Sequence, residues 1–165
     1  MVKERGIIMG SDSDWPVMQK AVAVLDEFNI AYDVVVASAH RTPDKVHEFV
    51  KHIEESAGVA FIAGAGAAAH LAGVVASLTT LPVIAVPLNA TGLNGIDSLL
   101  STVQMPSGIP VATMAIDGAK NAALFAVQIC ALQDEDLAKA YRKYRLDMRK
   151  AVATKNDRIQ KIIKG

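Results

Sequence analysis

The sequence predicts an α/β fold, a three-layer doubly wound parallel sheet of about five strands with helices on both faces and a long C-terminal helix. Three observations carry this. Short apolar runs rich in β-branched residues alternate with longer stretches of helical periodicity from the start of the chain. The composition is 52% hydrophobic but only 5% aromatic, so Ala, Val, Ile and Leu supply the core. Finally, Gly10–Asp14, Ser38–Pro43 and Gly64–His70 each follow an apolar run. In a parallel sheet such loops gather at the carboxyl edge of the strands, where ligands bind.

Taken in order, Arg5–Met9 reads as the first strand. Ser13 or Asp14 is expected to cap a helix with Pro16 in its first turn, burying Val17, Ala21, Val24, Leu25 and Phe28. Tyr32–Ala37 is a second strand, and its unbroken valines predict burial on both faces. Pro43 opens a helix to about Glu55. Val59–Ala63 is a third strand, followed by an alanine-rich helix to about Leu78. Pro82–Val86 is a fourth, followed by a loop with turn chemistry at Asn94-Gly95 and a short helix, Ile96–Val103. Val111–Ala115 and Ala119–Leu132 form the last strand–helix pair. Asp134-Glu135-Asp136 places acids at the start of the final helix, which shows one apolar stripe of Leu137, Tyr141, Tyr144, Met148 and Val152.

The 165 residues are enough for a sizeable core. No stretch has the composition of a membrane helix, and Met1–Arg5 lacks the layout of a secretory signal. A single cysteine, Cys130, excludes an internal disulfide framework and reads as a core residue. A cytoplasmic protein is the expectation.

Net charge is zero but unevenly placed: residues 134–165 hold ten Lys/Arg against five Asp/Glu, and residues 1–133 seven against twelve. Interleaved acids and scarce aromatics make the basic end a solvated helix rather than a nucleic-acid surface. From Ser56 to Gln133 the only charges are Asp97, Asp117 and Lys120, which predicts that other copies of the chain cover part of this region.

Three clusters carry candidate chemistry. Gly10–Asp14 joins a strand to a helix N-terminus, a seat for phosphate to which Ser11 and Ser13 add hydroxyls; simple capping explains the same residues. Arg41 can clamp a phosphate through two parallel hydrogen bonds, and His40 can give and take a proton near neutral pH. His70 is a second loop histidine, whereas His47 and His52 lie in a charged helix and read as surface residues. Gly64–Ala69 matches a dinucleotide-binding pattern, but it falls in the third unit and no acid follows at the ribose position. Close backbone approach to another ligand, or close helix packing, explains these glycines better. No G-x-x-x-x-G-K-[ST] or G-x-S-x-G run is present, and no metal-ligand spacing joins His40 to His70.

Four ordered motifs carry a resemblance: Gly10–Pro16, Ser38–Pro43, Ala63–Gly66 with His70-Leu71, and Asp97–Ser101 with Val103–Pro106. Together they resemble the bacterial-type N5-carboxyaminoimidazole ribonucleotide mutase family of de novo purine biosynthesis, over residues 5 to about 132. The resemblance implies a flavodoxin-like catalytic domain over 1–133 and a helical extension, 134–165, packed on the same domain or on a neighbouring subunit. It implies a homo-octamer that needs no ATP, metal or organic cofactor. By motif, Ser11, Ser38 and Arg41 would hold the 5′-phosphate with Ser13 assisting, and Asp14 would hold the ribose hydroxyls. His40 would be the catalytic proton shuttle, while Gly66, His70 and Leu71 would line the pocket for base and carboxylate. Ala67 and Ala72 depart from the family, which commonly has glycine and proline there. The alternatives are a carboxylase taking free CO₂ and a non-catalytic nucleotide-phosphate binder.

Overall fold

A computed structural model describes residues 5–164 of the chain. They divide into two compact units at the Ile129–Cys130 boundary. In the first, β1 (Arg5–Met9), β2 (Asp33–Val36), β3 (Ala60–Gly66), β4 (Val83–Leu88) and β5 (Ala112–Thr113) form one parallel sheet. The crossovers are α1 (Trp15–Glu27), α2 (Pro43–Glu55), α3 (Leu71–Leu78) and α4 (Ile96–Val103). A fifth helix, α5 (Ala119–Ala131), runs through the unit boundary, and α6 (Glu135–Lys164) lies in the second unit.

The strand order is β2-β1-β3-β4-β5. The chain winds one way from β1 to β2 and then the other way through β3, β4 and β5. The loops after β1 and β3 therefore diverge to opposite faces, opening a crevice at their carboxyl ends where ligands bind in doubly wound sheets. Register fixes its floor: Met9 pairs with Val36 on one side and with Gly64 on the other. Gly10 extends this pairing by donating its N–H to Gly64 O at 3.3 Å. A Cβ on Gly64 would stand 2.4 Å from Met18 Sδ, so this glycine lets α1 pack directly against β3.

Ile7, Ile8, Phe61, Ile62 and Ile84 are fully buried in the central strands, and Val46, Phe49, Val50 and Ile53 cover one face from α2. Each fully buried aliphatic or aromatic side chain contributes about 1.5–3 kcal/mol.

The structure departs from expectation at several elements. β2 is not buried on both faces: Val34 and Val35 are half-buried and Val36 is 42% exposed, because β2 is an edge strand. Neither Ser13 nor Asp14 caps α1 with its side chain. Instead Ser11 caps a 3₁₀ turn, Asp12–Asp14, which feeds into α1, and Ser11 and Asp14 form a reciprocal capping box. Val17 in α1 and Phe28 at its C-cap are only partly buried, while Met18, beside Gly64, is fully buried. β3 runs on to Gly66 and α3 begins only at Leu71, leaving a turn between them. β4 ends two residues later than expected and β5 is only two residues long. Along α6, Leu137, Tyr141 and Tyr144 are half-buried, whereas Met148 and Val152 are exposed.

Candidate active site

A cleft of about 320 Å³ opens at the carboxyl ends of β1 and β3. Its polar side is built from two loops. In the first, Ser11 N–H donates to Asp14 Oδ2 at 3.0 Å, while Ser13 Oγ and Ser13 N–H both donate to Ser11 Oγ, at 2.9 and 3.3 Å. These bonds hold Ser11, Ser13 and Asp14 in one tight turn at the head of α1. Asp14 is only 8% exposed. Burial pushes its carboxyl pKa up; backbone hydrogen bonds from Ser11 and Gly10 and the charge of Arg41 pull the other way.

The second loop follows β2. Ser38 Oγ accepts from Arg41 N–H at 3.2 Å and from Arg41 Nε at 3.4 Å, and Ser38 N–H donates to Thr42 Oγ1 at 2.9 Å. Arg41 Nη2 then reaches across to Gly10 O at 3.1 Å, joining the two loops. The guanidinium is thus fixed beside the hydroxyls of Ser11, Ser13 and Ser38, all of which line the cleft with it. Three hydroxyls and one oriented guanidinium are groups that can hydrogen-bond an anion.

The rest of the lining is apolar, mostly small residues: Ala65 and Gly66 at the end of β3, Ala67 and Ala68 in the turn after it, Leu71 at the start of α3 and Ala90 after β4. Gly66 is required by packing, since a Cβ there would lie 2.4 Å from Ala90 Cβ. Ala67 adopts φ +53°, the left-handed conformation in which glycine is the usual residue. His40 lines the cleft beside Arg41. Its Nε2 is 2.9 Å from His70 Nδ1.

Nine residues singled out from sequence therefore fall at one place. Ser11, Ser13, Asp14, Ser38, His40, Arg41, Gly66 and Leu71 line the cleft. His70 is exposed at the N-cap position of α3 and is not a lining residue; it joins the site through His40. His47 and His52 are exposed on α2, away from the lining.

Sequence reasoning missed Ala90. The loop that ends at Asn94-Gly95 reads as a loop from sequence, but nothing in its residue types marks chemistry; the bare Cα of Gly66 is the only hint of a close neighbour. Gly10, Ala39, Ala65, Ala67 and Ala68 lay inside or beside the recognised clusters without being chosen. Among the described residues, no group of three or more His, Cys, Asp or Glu could hold a metal ion.

The profile of the AIR carboxylase family matches residues 5–151, spanning the whole sheet and every residue that lines the cleft. The chain belongs to the AIR carboxylase family. Among its members, the N5-carboxyaminoimidazole ribonucleotide mutase of Pyrococcus horikoshii is 54% identical over 157 residues, covering 95% of this chain and 89% of that protein. The enzyme of the same name from Bacillus subtilis is 51% identical over 156 residues, covering 93% and 96%. A solved structure of a Treponema denticola PurE2 variant superposes with a TM-score of 0.88 at 30% identity, covering 96% of this chain and 98% of that one. The family's fold is the five-stranded parallel sheet described above, with the long C-terminal helix included in the superposed region. Among the described residues no helix is long and apolar enough to cross a membrane.

Proposed function

We propose that the chain converts N5-carboxyaminoimidazole ribonucleotide to 4-carboxy-5-aminoimidazole ribonucleotide. The observation that carries this reading is that His40 lines one cleft together with Ser11, Ser13, Ser38 and Arg41 and with small apolar residues of the turn after β3. Ser11, Ser13, Ser38 and Arg41 bind the 5′-phosphate, and Asp14 binds the ribose hydroxyls. Gly66 and Leu71 then face the base.

The chemistry follows from that placement. His40 donates a proton to the exocyclic nitrogen, the N–C bond breaks, its electron pair stays on nitrogen, and CO₂ is released. In a confined cleft CO₂ remains next to ring carbon C4 at high effective molarity. C4 attacks it, and the C4 proton returns to His40. One imidazole is acid in the first half and base in the second, so no proton is consumed. The small apolar wall suits uncharged CO₂, and Arg41 holds the nucleotide while its carboxylate is detached.

The same reading makes the chain a cytoplasmic homo-octamer. It is supported by Ile96, Leu100 and Val103, which share one face of α4 and are exposed with Leu93 in a stretch nearly free of charge. Light scattering that finds a monomer at micromolar concentration removes this assembly.

The deciding experiment supplies two substrates in parallel. With N5-carboxylated nucleotide alone, the product forms without added bicarbonate. Turnover only with aminoimidazole ribonucleotide plus bicarbonate would make the chain a carboxylase that uses free CO₂, and binding without turnover would make it a nucleotide-phosphate binder.

A further inference from the structure

From Ser56 to Gln133 the chain carries only two acidic residues, Asp97 and Asp117. The fold brings both to the loop after β4, on either side of Ala90. Asp117 lies in the turn between β5 and α5. Its N–H donates to Pro87 O at 2.9 Å, and its Oδ1 accepts the N–H of Asn89 at 3.0 Å. Asp97, in the first turn of α4, accepts on Oδ2 from Thr91 Oγ1 at 2.8 Å. Thr91 Oγ1 in turn accepts the N–H of Leu93 at 3.1 Å. The fully buried Ser98 of α4 places its hydroxyl 2.8 Å from Leu88 O and 2.9 Å from Gly95 O, holding both ends of the loop.

Asp97 Oδ1 is buried with no hydrogen-bond partner among the described residues. Burying an unpaired polar atom costs stability, so packing does not account for an acid at this position. Its side chain serves Thr91. Ala90, between the two tethers, lines the cleft and abuts β3: Gly66 pairs with Leu88, and a Cβ on Gly66 would stand 2.4 Å from Ala90 Cβ. Ala90 closes this seam only while its loop stays where the acids hold it.

We propose that Asp97 and Asp117 are positioning residues for the reaction: by tying down the residues flanking Ala90, they keep the apolar side of the cleft shut against loss of CO₂. This rests on the mutase reading. Once the N–C bond has broken, CO₂ is neither charged nor bonded to the nucleotide, so packed walls alone retain it. Recapture forms the C4–C bond and returns the C4 proton to His40. Escape leaves aminoimidazole ribonucleotide with the donated proton on its amine, and His40 takes a replacement proton from solvent. The loop therefore sets the ratio of escape to recapture.

The test uses the full-length protein in excess over N5-carboxyaminoimidazole ribonucleotide, with ¹³C-bicarbonate and carbonic anhydrase in the buffer. Two quantities are read after a single turnover: aminoimidazole ribonucleotide relative to 4-carboxy product, and ¹³C in the product carboxylate. Wild type is expected to give mainly unlabelled 4-carboxy product. Thr91→Val and Asp117→Ala are expected to raise the ratio of escape to recapture roughly tenfold, the lower end of what a hydrogen bond to a charged group contributes, with ¹³C entering the product. Thr91→Ser keeps the hydroxyl and Asp117→Asn keeps an acceptor oxygen, so both return the ratio to near the wild-type value. A general folding defect lowers the amount of active enzyme but leaves this ratio unmoved. Thr91→Val preserves side-chain shape and both acids, so it carries the test even where Asp117→Ala, with alanine at φ +56°, fails to fold. The proposal is overturned by a wild-type ratio in folded Thr91→Val or Asp117→Ala, or by equal escape in Thr91→Ser and Thr91→Val. Wild type that makes no 4-carboxy product at all sinks the mutase reading instead.

Discussion

Replacing Ala67 by glycine tests the turn that carries the apolar wall of the cleft. At φ +53° the Cβ of Ala67 crowds the following carbonyl, which costs an L-residue about 1–2 kcal/mol. Glycine escapes that cost but gives the unfolded chain extra freedom worth about 0.4–1 kcal/mol. The difference leaves Ala67→Gly more stable by about 0.5–1 kcal/mol. For a chain of this size, each kcal/mol moves Tm by roughly 2–4 °C, so a rise of about 1–4 °C is expected. Thermal unfolding followed by circular dichroism measures it, at one fixed protomer concentration because assembly makes Tm concentration-dependent. An unchanged or lower Tm, with native spectra, would mean that the turn holds no strain at Ala67.

Gly66→Ala acts in the opposite sense. Its new Cβ would meet Ala90 Cβ at 2.4 Å, and neither methyl can rotate away. A loss of about 1–3 kcal/mol in urea unfolding is expected, together with a raised KM as the loop after β4 shifts. Asp14→Asn separates stability from binding. Burial raises the folded carboxyl pKa above its unfolded value, so the charged form opposes folding as pH climbs past the unfolded pKa. The variant should therefore be more stable than wild type at neutral pH, with the advantage fading as pH falls toward the unfolded pKa near 3.8 and gone below it, while nucleotide affinity drops. Chemical unfolding across pH, with binding calorimetry at neutral pH, checks both. Arg41→Met removes the guanidinium joining the two loops; nucleotide Kd should rise by roughly 10- to 150-fold, the span of a charged hydrogen bond of about 1.5–3 kcal/mol. Wild-type affinity in that variant would displace Arg41 from the phosphate seat.

Sequence patterning was most informative where local chemistry decides the element. Pro43 opens α2 at the expected residue, and Ile96–Val103 is helical to both of its predicted ends. Burial was harder to read. Three consecutive valines look the same in a central strand and at an edge, and only the strand order exposes Val36. The cap was misassigned by a few residues because Ser11, Ser13 and Asp14 can all accept backbone N–H groups, and the 3₁₀ turn decides among them. In the cleft, side chains with titratable or hydroxyl groups were legible one by one. The wall was not, because alanine carries no chemical signature. Ala90 enters through a close approach that only the folded register of β3 and β4 creates. The pairing of His40 with His70, thirty residues apart, likewise depends on the sheet bringing two loops to one edge.

The central claim is that one imidazole moves the proton while its neighbours hold the nucleotide, and His40→Asn measures it most directly. The variant keeps a polar group of similar reach but cannot cycle a proton near neutral pH. Calorimetry should find N5-carboxyaminoimidazole ribonucleotide bound within a few-fold of wild-type affinity, and rapid quench should find no 4-carboxy product. Turnover by His40→Asn at a rate comparable to wild type would contradict the account.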